Sequence, residues 1–177
     1  TSIAGATGAA DFESWAFESS KLESGGVEYA VVDVYAQFAQ SSVQVVNVYN
    51  TAIGNAGGSP YVQSDFINGS WLPTLVNPAT VAYDSFVLIG GQPGGTNTTA
   101  LDPNFNPQNA PVPPANAGWY NSNPPNLQGL NDPATFRTWV GRFSIEATSI
   151  GDQLVFDGSV SFGDYPDGSP QQATGGG

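Results

Sequence analysis

The sequence predicts an all-β protein: an antiparallel β-sandwich, jelly-roll-like, with one long Pro/Asn/Gly-rich loop excursion. Three observations carry that expectation. Seven or eight segments are dense in Val, Ile, Phe, Tyr and Trp, and several alternate apolar with polar residues at the two-residue period of a half-buried strand. No stretch holds the 3.6-residue apolar period of a helix for longer than a turn. Gly-Gly, Asn-Gly and Pro-rich clusters punctuate the apolar runs, as turns between short strands require.

In chain order, residues 1–10 (TSIAGATGAA) are small and featureless and read as an arm that orders only on pairing. Residues 11–24 hold four acids with Trp15, Phe17 and Leu22 at a spacing that fits neither period, so 1–24 is taken as arm and lead-in. After Gly25-Gly26, residues 27–38 place Val27, Tyr29, Val31 and Tyr35 on one face of a strand. Residues 43–53 put Val43, Val45 and Tyr49 on one side and Val46 and Val48 on the other, and the short link predicts a hairpin with the strand before. Weaker strands are expected at 61–67 and 71–76, and a stronger one at 80–89. Residues 91–132 are crowded with Pro, Asn and Gly. A structureless loop of that length is uncommon, so Leu101, Phe105, Trp119, Tyr120 and Leu127 are expected to pin it to the body. Asp132-Pro133 has the form of an N-cap with proline at the first helical position.

The last two runs alternate most clearly. Trp139, Phe143 and Ile145 alternate with Thr138, Arg142, Ser144 and Glu146; Leu154, Phe156, Val160 and Phe162 alternate with Gln153, Asp157, Ser159 and Ser161. A hairpin through Ile150-Gly151-Asp152 is predicted. The β-domain therefore covers 25–162, and 163–177 reads as a Gly-rich tail.

Composition excludes more chemistry than it selects. The chain has no Cys, Met or His and three basic residues, Lys21, Arg137 and Arg142, which rules out imidazole and thiol nucleophiles and the usual zinc ligands. A net charge of −12 repels phosphate backbones, so nucleic acid is not expected as a partner. No run of about 18 apolar residues is present to span a membrane. The start at Thr1, the absence of oxidisable sulfur and the acidic, Lys-poor surface fit a mature exported protein in an extracellular or cell-surface setting. No enzymatic role is expected.

Candidate sites are few. Asp102 and Asn104 begin like an EF-hand calcium loop, but Pro107 stands where glycine is needed and Pro113 where a bidentate Glu belongs. An irregular calcium site competes there with side chains that cap turns. Asp157, Asp164 and Asp167 form a second acidic cluster, read chiefly as a turn. Asp84, Glu146 and Asp157 are the carboxylates from which a glycosidase pair could be drawn, against the simpler reading of solvated acids. Asp33 interrupts an apolar face. Trp71, Trp119 and Tyr120 fall in loop-like surroundings, where Trp119 and Tyr120 form a candidate carbohydrate platform. Asn68 and Asn97 head N-glycosylation sequons.

Several segments look familiar: Tyr83-Asp84-Ser85-Phe86-Val87 leading to Ile89-Gly90-Gly91, then Asn97 through Phe105, Gly118 through Gly129, and Val140-Gly141-Arg142-Phe143. Over residues 27–162 this pattern resembles secreted β-rich proteins of the exosortase-sorted (PEP-CTERM-like) type. The resemblance implies export and a surface or matrix location and carries no catalytic residues with it. The C-terminal end departs from that pattern, with no Pro-Glu-Pro motif, apolar span and basic finish. The expected function is a secreted structural subunit that assembles with itself into a filament, sheath or surface layer, through strand addition by the arm. The alternative is a glycan- or calcium-dependent adhesion module.

Overall fold

The computed structural model describes residues 11–63, 71–72, 82–91, 97–146, 154–164 and 171–176. Among the described residues nine strands form two antiparallel sheets that pack face to face as a β-sandwich: β1 (Phe12–Ser24), β2 (Val27–Phe38), β3 (Val43–Asn55), β4 (Phe86–Val87), β5 (Thr99–Leu101), β6 (Ala117–Asn121), β7 (Arg137–Glu146), β8 (Leu154–Asp164) and β9 (Gln171–Gly176). One sheet has the order β1-β2-β7-β4 and the other β5-β6-β3-β8-β9. Among the described residues the only helical element is a 3-10 turn at Pro124–Asn126.

The apolar faces meet in a core rich in aromatic rings. Phe156 of β8 lies 4.9 Å from Trp15, 6.0 Å from Phe143 and 6.5 Å from Trp119, measured between ring centroids. Phe38 of β2 meets Phe162 of β8 edge to face at 5.1 Å. Such pairs add about 0.5–1.5 kcal/mol each beyond the burial of their area.

Three strands carry bulges, β3 two of them, and these move side chains to faces that simple alternation would not give them. In β1 the register slips between Phe12 and Ser14, so Phe12 and Trp15, three apart, both enter the core. This explains why 11–24 shows no clean period. It is a 13-residue strand paired along its length with β2, and no lead-in. In β3 the slip between Val45 and Asn47 turns Val48 inward beside Val43 and Val45, and a second slip follows Tyr49. In β7 the bulge falls at Val140: Val34 pairs Gly141 while Tyr35 pairs Trp139. Val140, Phe143 and Ile145 face the core, and Trp139, expected with them, faces outward.

Both expected hairpins are replaced by crossings. β2 pairs with β1 and β7, and β3 with β6 and β8, so the 39–42 link passes from one sheet to the other. β7 and β8 likewise lie in different sheets, and the turn predicted between them lies outside the described residues. The supposed tail contains β9, which pairs with β8 and buries Ala173. The strands expected at 61–67 and 71–76 are coil where they are described, at 61–63 and 71–72, and of the strand expected at 80–89 the described residues, 82–89, are strand only at Phe86–Val87. This coil still does a strand's work along the outer side of β7. Val62 N–H donates to Ser144 O (2.8 Å), Leu88 N–H to Val140 O (3.1 Å) and Gly90 N–H to Trp139 O (2.8 Å).

The proline-rich excursion is ordered by two anchors and an amide network. Phe105 and Trp119 are 1% and 0% exposed. Gln128 accepts from Thr98 N–H (2.7 Å) through Oε1 and donates through Nε2 to Asn97 Oδ1 (2.8 Å) and Thr99 Oγ1 (3.0 Å). Asn121 Oδ1 accepts from Thr98 Oγ1 and Asn123 N–H. These side chains satisfy backbone groups that the many prolines leave without ladder partners. After them, Asp132 caps a turn and no helix forms: its Oδ1 accepts from Thr135 and Ala134 N–H, which in that order hold its carboxyl below the ordinary value.

Candidate functional site

The most developed site lies on the outer face of the four-stranded sheet. It is a half-open groove of about 760 Å³, within the range of ligand clefts. β2 contributes Asp33 and Tyr35 to its floor, and β7 contributes Arg137, Trp139 and Arg142. The walls come from Gly90-Gly91, from Leu127, and from residues 130–133 and Thr135.

Strand pairing sets this floor. Asp33 is the cross-strand partner of Arg142 and Tyr35 that of Trp139, so an ion pair and an aromatic pair lie side by side on one face. Arg142 grips Asp33 with two parallel hydrogen bonds, Nε to Oδ1 and Nη2 to Oδ2, both 2.8 Å. Their side chains are 18% and 16% exposed, which makes this a mostly desolvated fork. The Arg142 guanidinium also lies over the Trp139 ring at 5.2 Å, and Arg137 over Tyr35 at 5.9 Å. Tyr35 and Trp139 are nearly parallel, with 24° between their planes. Arg137 is held by Gln37 (2.6 Å) and by an exposed ion pair with Glu18 (2.9 Å). Asp33, conspicuous in the sequence as an acid in an apolar run, is thus matched by one of the chain's two arginines. Only the β2–β7 register, which is not local information, reveals that match.

Replacing Asp33 with alanine should cost about 2 kcal/mol in urea unfolding, because it leaves a largely buried guanidinium without its carboxylate. Glu18→Ala should change stability by less than about 1 kcal/mol, since that pair is exposed. Equal losses would contradict the assignment.

Desolvation, followed by the nearby Asp33 and Glu18 carboxylates, pushes the Tyr35 phenol up to about 12, and core burial does the same for Tyr61. A folded value above the ordinary 10.0 means that the stabilisation is fully present below pH 10 and is lost as pH rises toward 12. Absorbance titration at 295 nm should therefore show at least two of the seven tyrosines ionising late, with alkaline unfolding setting in above about pH 10. A single wave near pH 10 in a protein still folded would contradict it.

The residues picked out from sequence fare differently. Trp119 and Tyr120 are neighbours on β6 and therefore point to opposite faces. Trp119 is 0% exposed and its indole N–H donates to Leu88 O (3.0 Å), so it is a core anchor and offers no surface to a sugar. Tyr120 is 39% exposed. Trp71 is buried, with its N–H on Ala110 O. Asp102 Oδ1 accepts from Asn104 N–H (2.9 Å) and Phe105 N–H (3.1 Å), which is the turn-capping arrangement. Among the described residues no three acidic side chains converge as a metal cluster. Glu146 and Asp157 are exposed on strands of different sheets, while Asp84 is buried in the coil before β4. Asn97 is half-buried and its Oδ1 accepts from Thr99 N–H and Gln128 Nε2. Asn68 and Asp167 lie outside the described residues.

Sequence reasoning missed the groove because alternation assigned Trp139 to the core. The signal that could have found it is the pair Trp139 and Arg142, three residues apart in a strand, the spacing a bulge brings to one face. Comparison with protein-family models, with curated proteins and with solved structures found no match to this chain.

Proposed function

We propose that the protein is a secreted structural subunit that polymerises edge to edge into an extracellular filament, sheath or surface layer. The observation that supports this most is the asymmetry of the sandwich's two flanks. β1 and β9, the outermost strands of their sheets, lie together on one flank, where Trp15 Nε1 donates to Gly175 O (2.7 Å). Among the described residues neither has a strand partner on its outer side, and β1 offers 13 residues of backbone. The opposite flank is closed: β4 and β5 are two and three residues long, and coil covers the remainder of β7. One open flank and one closed flank favour addition of a strand from a neighbour over random stacking.

The charges along β1, Glu13, Glu18, Lys21 and Glu23, suppress casual edge pairing and favour a segment without charge. Residues 1–10, free of charged side chains, supply one in each copy. Donation from copy to copy is heterologous and continues without closing. Net repulsion at −12 per chain makes such growth salt-dependent.

Light scattering and negative-stain imaging from about 0.01 M to about 1 M salt, over which the screening length falls from about 30 Å to about 3 Å, should show particles lengthening. Deleting residues 1–10 should leave monomers throughout. If the shortened chain polymerises like the parent, the mechanism is wrong.

A further inference from the structure

We infer that the groove floored by Tyr35 and Trp139 binds a neutral pyranose unit of a polysaccharide. Bulk burial would put Trp139 inside with Phe143 and Ile145, since its strand alternates in that phase. The bulge at Val140 turns the indole outward instead, onto a face that still has room for a ligand of several rings. Each ring meets a guanidinium on one side, Trp139 at 5.2 Å and Tyr35 at 5.9 Å, and both still line the groove, where the C–H bonds of a sugar ring can pack against them.

The surroundings fit that ligand. Asp33 and Arg142 form a rigid fork beside the two rings, in which each Asp33 oxygen accepts one Arg142 bond and keeps a second lone pair, an acceptor suited to a sugar hydroxyl. Their rotamers are set before any ligand arrives, by the ion pair and by the guanidinium stacked on Trp139. The backbone around the groove is held in an uncommon conformation as well. Leu127 in the wall and Phe136 at the start of β7 have φ of 61° and 59°, values that cost bulky L-residues about 1–2 kcal/mol each.

Charge narrows the class. Two of the chain's three bases sit in this groove, each matched by an acid, and Asp132 stands in the wall, so the site keeps little of the net charge of −12 that the molecule carries. A neutral glycan approaches such a site without penalty, whereas a polyuronate meets the field of the whole protein. The inference is independent of polymerisation: the groove lies on the sheet face, away from the β1 and β9 edges.

Affinity electrophoresis of the full chain at low salt, in gels containing a soluble β-glucan, a mannan or a galactan and, separately, a polyuronate, tests it. Retardation is expected in at least one neutral gel and not in the polyuronate gel. Trp139→Ala should weaken it by about tenfold or more, and Tyr120→Ala, on the other sheet, should leave it unchanged. Should Trp139→Ala lose its near-ultraviolet circular dichroism, Tyr35→Leu, which keeps an apolar side chain and removes the ring, carries the same expectation. No retardation in any neutral gel, retardation by the polyuronate alone, or binding that survives loss of either ring overturns the inference.

Discussion

Gly129→Ala should yield a chain that does not reach the native state, a loss of more than about 4 kcal/mol. Gly129 stands in the turn that delivers the long excursion back to the sandwich. Its carbonyl accepts from Val45 N–H (2.8 Å) and Thr138 Oγ1 (3.3 Å), which ties the turn to β3 and β7. A β-carbon there would collide with the Val45 carbonyl oxygen and would come within 2.9 Å of Ile89 Cγ2. The obstacle is backbone of a central strand, which cannot swing aside as a side chain would, and moving it would break the hydrogen bond that places the turn. Gly54→Ala is the matched control, because nothing lies within 4 Å of a β-carbon at that position. Soluble yield and near-ultraviolet circular dichroism read the outcome. A Gly129→Ala protein that melts within about 3 °C of the parent would mean that the close approach is not there.

The second large effect is expected at Phe156, where truncation to alanine should cost about 3–5 kcal/mol and lower Tm by about 10 °C. Phe156 is fully buried and its ring touches aromatic partners from β1, β6 and β7, so it joins both sheets. Removing it costs the transfer free energy of the ring, the edge-to-face contacts and a cavity that three large rigid neighbours cannot collapse into. Phe17→Ala provides the contrast: Phe17 is 39% exposed on β1 and its loss should stay within about 0.5 kcal/mol. Equal effects of the two substitutions would remove Phe156 from the centre of the core.

How much of this was legible depended on whether the signal was local. The β2 and β8 strands could be read to within two residues, β2 from its density of β-branched and aromatic side chains and β8 from a two-residue alternation. β1 could not, because one extra residue between Phe12 and Ser14 changes the phase of its apolar positions, and the strand is otherwise exposed and acidic. β9 was hidden for a different reason. Ala and Gly are poor strand formers, Thr174 is the one β-branched residue here, and this segment is strand because β8 offers it an edge. β5 and β6 escaped notice inside proline-rich sequence, where side-chain amides carry hydrogen bonds that have no periodic signature.

The site shows the same division. Trp119 drew attention as a loop aromatic, yet its burial follows from its pairing with Val48, far away in sequence. Trp139 drew none, because alternation assigned it to the core. Asp33 was visible as an acid among apolar residues, whereas its partner Arg142, 109 residues later, emerges only when β2 and β7 are aligned.

By itself the sequence settled the class of the fold and the chemistry that is absent. Both follow from composition and short-range pattern: β-branched and aromatic runs make strands, a chain without His or Cys has no imidazole or thiolate, and −12 of charge repels polyanions. Only the tertiary structure decided which strands neighbour one another, which described strands lie at the edges of their sheets and which aromatic rings face outward. The physical reason is that pairing is a contest among distant edges won by the best joint packing, and a one-residue bulge, invisible to any periodic reading, reverses the face of every side chain beyond it.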